Sequence, residues 1–306
     1  MRTQTSTKTV FWTALACALN LHAGAISGTI SSTVDVTEDT WLTDNVTCRV
    51  ANVPCIRVAV SNIKLYLNGY TITGQRGGNI SGCLTQAQGG NNEHGIHVAP
   101  GTRMVEVLGP GIVQEMRGWG VVLDAGVTRS TIRDVTASSN CQSGIQLLGG
   151  AQLQEFTNDN DIEWNVLVRN ANLELPCGGI CLSNANFNRV RRNVTSGNGF
   201  TAAANPNFGI GLIGASRENL IEKNIVTGNT HGIRIGVNVL MNLIFRNTVS
   251  GNPPIQIPVS EPNFQGFDIL NLAPDSAANK FYDNLCSTYS GAGSPPCPRV
   301  MVPFDR

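Results

Sequence analysis

Along most of the chain, apolar and polar residues alternate in patches of three or four. Such patches are too short for a helical stripe and suit short strands with one face turned inward. In "GIRI", from Gly232, Ile233 and Ile235 fall on one side and Arg234 on the other. The same patch recurs as "GIHV" from Gly95, "GVVL" from Gly120, "GIQL" from Gly144, "GICL" from Gly179 and "GIGL" from Gly209. Successive glycines are 25, 24, 35, 30 and 23 residues apart. A second pattern is interleaved with the first. The form N-x-[IV]-x-x-N-x-x-x-x-N occupies 160–170, 188–198, 219–229 and 242–252, with a degraded copy, "STIRDVTASSN", at 130–140.

Each unit therefore holds three short strands: N-x-[IV]-x, the stretch after the middle Asn, and G-[IV]-x-[LIV]. One such unit cannot close a core, but stacked units can. The pattern predicts an all-β fold, a single parallel β-helix (solenoid) of roughly ten coils. The crossover rule makes it right-handed. Asn tolerates left-handed backbone and carries both a donor and an acceptor, so it is expected at the corners. There it can bond its copy in the next coil, about 4.8 Å away. Asn165, Asn193, Asn224 and Asn247 form one expected ladder; Asn170, Asn198, Asn229 and Asn252 form another. An outward row of alternating charge, Glu106, Arg133, Glu163, Arg191 and Glu222, is expected to end at Phe245.

Composition agrees with short strands and many turns: 33 of 306 residues are Gly and only 6% are aromatic. The 21 basic and 21 acidic residues cancel, giving no electrostatic reason to expect nucleic acid or an anionic membrane as partner. The first residues read as an export signal. Arg2 and Lys8 precede the apolar "VFWTALACALNL" at 10–21, and "AGA" at 23–25 has the small-x-small form of a cleavage site. This predicts a signal peptide over 1–25 and one β-helix domain over 26–306, with an N-terminal cap and a disulfide-tied C-terminal tail. A secreted or periplasmic location follows. No other segment is apolar enough to span a bilayer.

Without Cys17, eight cysteines remain: Cys48, Cys55, Cys83, Cys141, Cys177, Cys181, Cys286 and Cys297. An even set in an exported chain favours disulfides. Proximity in sequence pairs Cys48–Cys55, Cys177–Cys181 and Cys286–Cys297, leaving Cys83 for Cys141, one of about 105 possible pairings. The spacings do not match a zinc site. The triplet "DND" at 159–161 is a candidate for calcium, and no other cofactor is expected.

The stretch "VAVSNIKLYLNGYTITG" at 58–74, following "TVDVTEDTWLTDNVTC", resembles the opening coil of NosD-like and pectate-lyase-superfamily right-handed β-helices. So do the N-x-[IV]-x-x-N repeats, and the resemblance covers about residues 30–290. It implies a secreted carbohydrate-active protein, as a lyase or epimerase on a uronate-containing polymer. The alternatives are a non-catalytic polysaccharide- or surface-binding module and a periplasmic accessory protein of the NosD type. The chain has no methionine–histidine cluster for copper. It also lacks the D-P-H-D signature of mannuronan epimerases, so no catalytic residue transfers from the resemblance.

A site is placed by the insertions. "QRGGNISGCLTQAQGGNNEH", "ANLELPCG" and "GFTAAANPNF" all enter at the corner before the Gly-led strand, with "PPIQIPVSEPNFQG" nearby. Loops on one edge of a solenoid wall a groove. Its floor is the outward row His97, Val122, Gln146, Cys181, Gly211 and Arg234, with Asp124 two residues beyond Val122. His94, Trp119, Phe208 and His231 precede the glycines. His97 is the candidate base, with Asp124 and His94 as its catalytic companions. Trp119, Gln146, Phe208, His231 and Arg234 are candidates for substrate binding. An aromatic platform beside an acid–base pair suits a sugar ring. His231 and Arg234 lie five coils from His97, about 24 Å at the coil rise, so they form a separate patch. The expected partner is a glycan, bound by a monomer.

Overall fold

A computed structural model of the chain describes residues 24–77, 83, 92–171, 178–199, 208–252, 266–291 and 297. Most of the predicted signal lies outside them. Gly24 and Ala25, its last two residues, begin a strand and pair with Thr40 and Trp41.

The strands are short, and their pairings run parallel from one coil to the next. Ten of them form one sheet, from Val34–Val36 to Tyr289–Gly291, here called sheet two. Sheet one has sixteen strands and folds around a corner. Its early strands, such as Thr131–Ser138, cross the bend unbroken and join its two faces. Among the described residues, helix is confined to Asn92 and two single turns, Leu153–Glu155 and Asp275–Ala277, and no helix is long and apolar enough to cross a membrane.

Every second strand residue points into the coil, and like stacks on like. Ile132, Ile162, Val190, Ile221 and Ile244 make one buried column. Ala137, Leu167, Thr195, Val226 and Val249 make another. Sheet two supplies Ile96, Val121, Ile145, Ile180, Ile210, Ile233 and Ile269. Branched side chains suit this stacking because they are stiff and fill a pleated surface.

Buried asparagines run between the columns. One ladder is Asn165, Asn193, Asn224, Asn247 and Asn284. A second is Asn140, Asn170, Asn198, Asn229 and Asn252, closed by Asp268. A third, not foreseen as a ladder, is Asn160, Asn188, Asn219, Asn242 and Asn279. Asn224 shows the rung. Its Oδ1 accepts from the backbone N–H of Asn193 at 2.9 Å and from Asn193 Nδ2 at 3.0 Å. Its Nδ2 donates to the Val190 carbonyl and to Asn247 Oδ1, each at 2.9 Å. All the bonding capacity of the amide is used, which is what permits its complete burial. Asp268 ends its ladder by accepting from Asn252 on Oδ1 and from the Ser287 and Thr288 N–H groups on Oδ2.

Two expectations need correction. The left-handed residue is not the ladder Asn but the one before it: Trp164, Arg192, Lys223 and Arg246 at one corner, with φ of 60°, 57°, 54° and 53°. The bend is made one step early so that the Asn can turn its side chain into the coil. At another corner Gly197, Gly228 and Gly251 take the same position, where glycine avoids the strain. The charge row also differs. Arg133 pairs in register with Leu108, whereas Glu106 pairs with Thr131 and meets Lys64 at 3.2 Å. Val107, not Val105, is the anchor of that coil; both are buried, and the apolar run allowed either register. From Arg133 to Phe245 the row holds, with Arg191–Glu163 at 2.9 Å and Arg133–Glu163 at 3.9 Å.

Cys48–Cys55 and Cys286–Cys297 are bonded as the spacing suggested, and Cys83 is bonded to Cys141, the pair left over. Cys177, the expected partner of Cys181, lies outside the described residues.

Three substitutions separate the contributions in urea denaturation. Asn224→Ala is expected to cost about 3 kcal/mol, because it strands buried polar groups in both neighbouring coils. Glu222→Ala, on the solvent-facing row beside Lys223, should cost under about 1 kcal/mol. Thr195→Val should gain about 1 kcal/mol, because the Thr195 hydroxyl sits in an apolar column without a hydrogen-bond partner. A loss of stability in Thr195→Val would contradict the reading of that column.

Candidate functional site

The Gly-led strands of sheet two enter beside the asparagine ladder, and no side chain fits there. A Cβ on Gly120 would lie 2.5 Å from the Gly144 carbonyl oxygen and 2.8 Å from Asn140 Nδ2; one on Gly209 would lie 2.8 Å from Asn229 Nδ2. The glycines thus fix where each strand starts and which residue faces outward.

The outward row runs in register through His97, Val122, Gln146, Cys181, Gly211 and Arg234, in the expected order. It also extends two coils further back than expected, to Arg57 beside His97 and then Asp35 beside Arg57. Arg57 holds Asp35 through Nε at 2.7 Å and Nη2 at 2.8 Å. The sequence carried a signal for this coil. In "CIRV", Cys55 stands where the other coils have Gly, so the Gly-led pattern does not include it.

His97 Nε2 lies 2.9 Å from Asp124 Oδ2. Asp124 Oδ1 accepts the Ala125 N–H at 2.7 Å. Burial works against the Asp124 carboxylate, but the His97 hydrogen bond and the Ala125 N–H outweigh it and hold the pKa below its ordinary value. His97 Nδ1 is buried and makes no hydrogen bond.

His94 is 5% exposed and stacks on Trp119, with ring centroids 4.6 Å apart. Its Nδ1 accepts the Trp119 backbone N–H at 3.2 Å. Burial, followed by repulsion from His97, lowers its pKa to about 3. A histidine held neutral with Nδ1 engaged supports the Trp119 backbone; it is poorly placed to exchange protons with a ligand. Trp119 itself is half-buried and can present ring surface.

The other predicted residues gather elsewhere. Phe208 is completely buried, and its ring lies over Gly211, where a Cβ would meet Phe208 Cδ2 at 2.5 Å. Arg234 stacks on Phe208, with the guanidinium carbon 4.6 Å from the ring centroid. His231 pairs in register with Phe208, and burial followed by the charge of Arg234 lowers its pKa to about 4. Gln146, expected to meet substrate, is 3% exposed; its Oε1 accepts from Ser143 and its Nε2 donates to the Leu147 carbonyl. Val122 and Cys181 are buried as well. The row between the two patches is therefore not an open groove floor, because outward positions are closed as well as inward ones.

Among the described residues, no group of three His, Cys, Asp or Glu side chains is placed to hold a metal ion. In the "DND" triplet Asn160 belongs to a ladder, and the Asp161 carboxylate is gripped by Arg189 through two bonds of 2.6 Å.

No family model matches the chain, and no curated protein matches its sequence significantly. Solved structures do match its shape. The enzymatically active domain of tailspike protein 2 from bacteriophage CBA120 superposes with a TM-score of 0.53 at 14% identity, over 82% of this chain and 37% of that one. The A-module of the Azotobacter vinelandii mannuronan C-5 epimerase AlgE4 superposes with a TM-score of 0.52 at 16% identity, over 86% of this chain and 76% of that one. The chain thus spans little more than a third of the tailspike domain. At such identities the likeness is one of fold: the chain is a right-handed parallel β-helix.

The histidines set a pH dependence. His94 has an ordinary pKa of 6.5 and a folded value of about 3, so below about 6.5 the unfolded chain takes up a proton that the folded chain refuses. The stability it contributes is complete above that pH and is lost as pH falls towards the folded value. His231 acts in the same direction. Urea midpoints should fall between about pH 7.5 and about pH 5, and His94→Gln should reduce the difference. An equal fall in wild type and variant would remove His94 from this account.

Proposed function

We propose that this protein is secreted or periplasmic, binds a polysaccharide beside His97 and Trp119, and acts there on a uronate residue as a lyase or epimerase. The observation that carries the reading is the 2.9 Å contact of His97 with Asp124, beside the partly open Trp119 ring. The fold supports it, since the A-module of a mannuronan C-5 epimerase shares it. The three disulfides between described residues fit an oxidising compartment.

In this reading Asp124 accepts the Nε2–H of His97 and fixes that tautomer, which leaves Nδ1 with its lone pair. Nδ1 takes the proton next to the uronate carboxylate. The charge then spreads onto that carboxylate and needs a cation. Arg57, one coil from His97, supplies the cation, and Asp35 holds its guanidinium in place. Loss of the glycosidic oxygen, which takes a proton from water, gives the unsaturated product of a lyase; a proton from water on the opposite face of C5 gives the epimer, and His97 returns its proton to solvent in either case. His94 supports Trp119 and takes no part in proton transfer.

A second reading rests on a specific observation. His97 Nδ1 is buried, so the base as it stands is not open to a ligand. That favours a module that holds the glycan on Trp119 without turnover. The test is a panel of uronate and neutral polysaccharides, assayed for absorbance of a new conjugated double bond and for solvent deuterium at C5. Catalysis predicts one signal or the other, lost in His97→Ala with binding retained. Trp119→Ala should weaken binding by about 1–3 kcal/mol under either reading. Binding without either signal leaves the module. No binding to any polymer contradicts both.

A further inference from the structure

The second patch holds a cation that no described group neutralises. Arg234 is half-buried, and among the described residues no carboxylate pairs with it and no acceptor meets its N–H groups. Its Nε is shut off from water as well. Burial lowers its pKa, with no opposing charge to restore it. A desolvated, unpaired guanidinium is costly, and the cost is relieved when an anion arrives.

The surroundings show how the group is held. One face of the guanidinium lies on the Phe208 ring at 4.6 Å, and Gly211 leaves room for that ring. His231, packed between Phe208 and Phe267, is neutral near pH 7 and adds no charge. Its Nδ1 accepts the Phe267 N–H at 3.0 Å. The row neighbours of Arg234, Gly211 and Leu270, are uncharged. Among the described residues the patch therefore carries a single positive charge, on a flat fork whose orientation is fixed by stacking. Stacking satisfies the face of a guanidinium and leaves its N–H edge unbonded. A planar carboxylate fits that edge with two parallel bonds.

We propose that Arg234, laid on Phe208, is a carboxylate-binding subsite that takes the uronate group of a sugar residue remote from the His97–Asp124 pair. The identity of the carboxylate as a uronate rests on the proposed function; the need for an anion does not. The two sites are five coils apart in the outward row, about 24 Å. Arg234 therefore contributes to holding an acidic glycan and not to proton transfer.

The test is local. The Nε–H resonance of Arg234 is assigned by its absence in Arg234→Lys and followed while sodium glucuronate is added. A saturable shift is expected with glucuronate, and none with glucose or with sodium chloride at equal ionic strength. No shift, or the same shift with chloride or glucose, overturns the subsite. In a second arm, affinity for a labelled oligogalacturonate should drop about tenfold or more in Arg234→Gln and by less in Arg234→Lys, with circular dichroism unchanged. Equal affinity in wild type and Arg234→Gln also overturns it. A saturable glucuronate shift in a protein that turns over no polymer keeps the subsite and removes the catalytic reading. Turnover lost in His97→Ala, with no shift at Arg234, does the reverse.

Discussion

The side-chain amide of a buried asparagine can bond its own copy only at one spacing, and that constraint governs this protein. Asn193 gives both its backbone N–H and its Nδ2 to Asn224 Oδ1, at 2.9 and 3.0 Å. Such a rung forms only when the two coils sit one strand spacing apart and in one register, because a slip of one residue turns every side chain to the other face. Three ladders repeat the demand at three corners. The apolar columns supply most of the burial energy, but they tolerate Ile, Val or Leu in any order. The amides specify which residue lies over which.

That specification reaches the candidate site through the glycines. Gly120 and Gly209 fit against Asn140 and Asn229 because they lack a side chain, and from there each strand of sheet two has one fixed phase. The outward row follows. Asp124 meets His97 because its strand is stacked one coil beyond, and Phe208 can lie over Gly211 because that position carries no side chain. The phase of the Asp124 strand is thus set at the start of the ladder, and the His97 strand, one coil before it, is set by Gly95 against Val113 and the Gly120 carbonyl.

Much of this was legible because a repeat reports on itself. Five-residue spacing of Asn marks corners, and G-[IV]-x-[LIV] marks the third strand; together they place His97, Val122, Gln146, Cys181, Gly211 and Arg234 in one row. The pattern misleads where the repeat is degenerate. Val105 and Val107 are both apolar, so alternation alone puts Glu106 one position out of phase. Cys55 replaces Gly, so the Gly-led pattern does not reach Arg57. The assignment of left-handed backbone to Asn followed its intrinsic tolerance, whereas the need to aim its amide inward moves the bend to the residue before. Alternation distinguishes inward from outward but not exposed from covered, so it did not show that Gln146 and Cys181 are buried or that His94 is neutral.

If the ladders hold the coils in register, their protons open only when the coils separate. Hydrogen exchange by NMR measures this directly on the Nδ2 protons and backbone amides of Asn193, Asn224 and Asn247. The account predicts that the side-chain amide protons exchange as slowly as the backbone amides of Ile221 and Val226 in the neighbouring strands, and that all slow to the rate of global unfolding. Side-chain amide exchange at the rate of free asparagine, alongside protected strands, would show that the core stands without the ladders and would contradict the account.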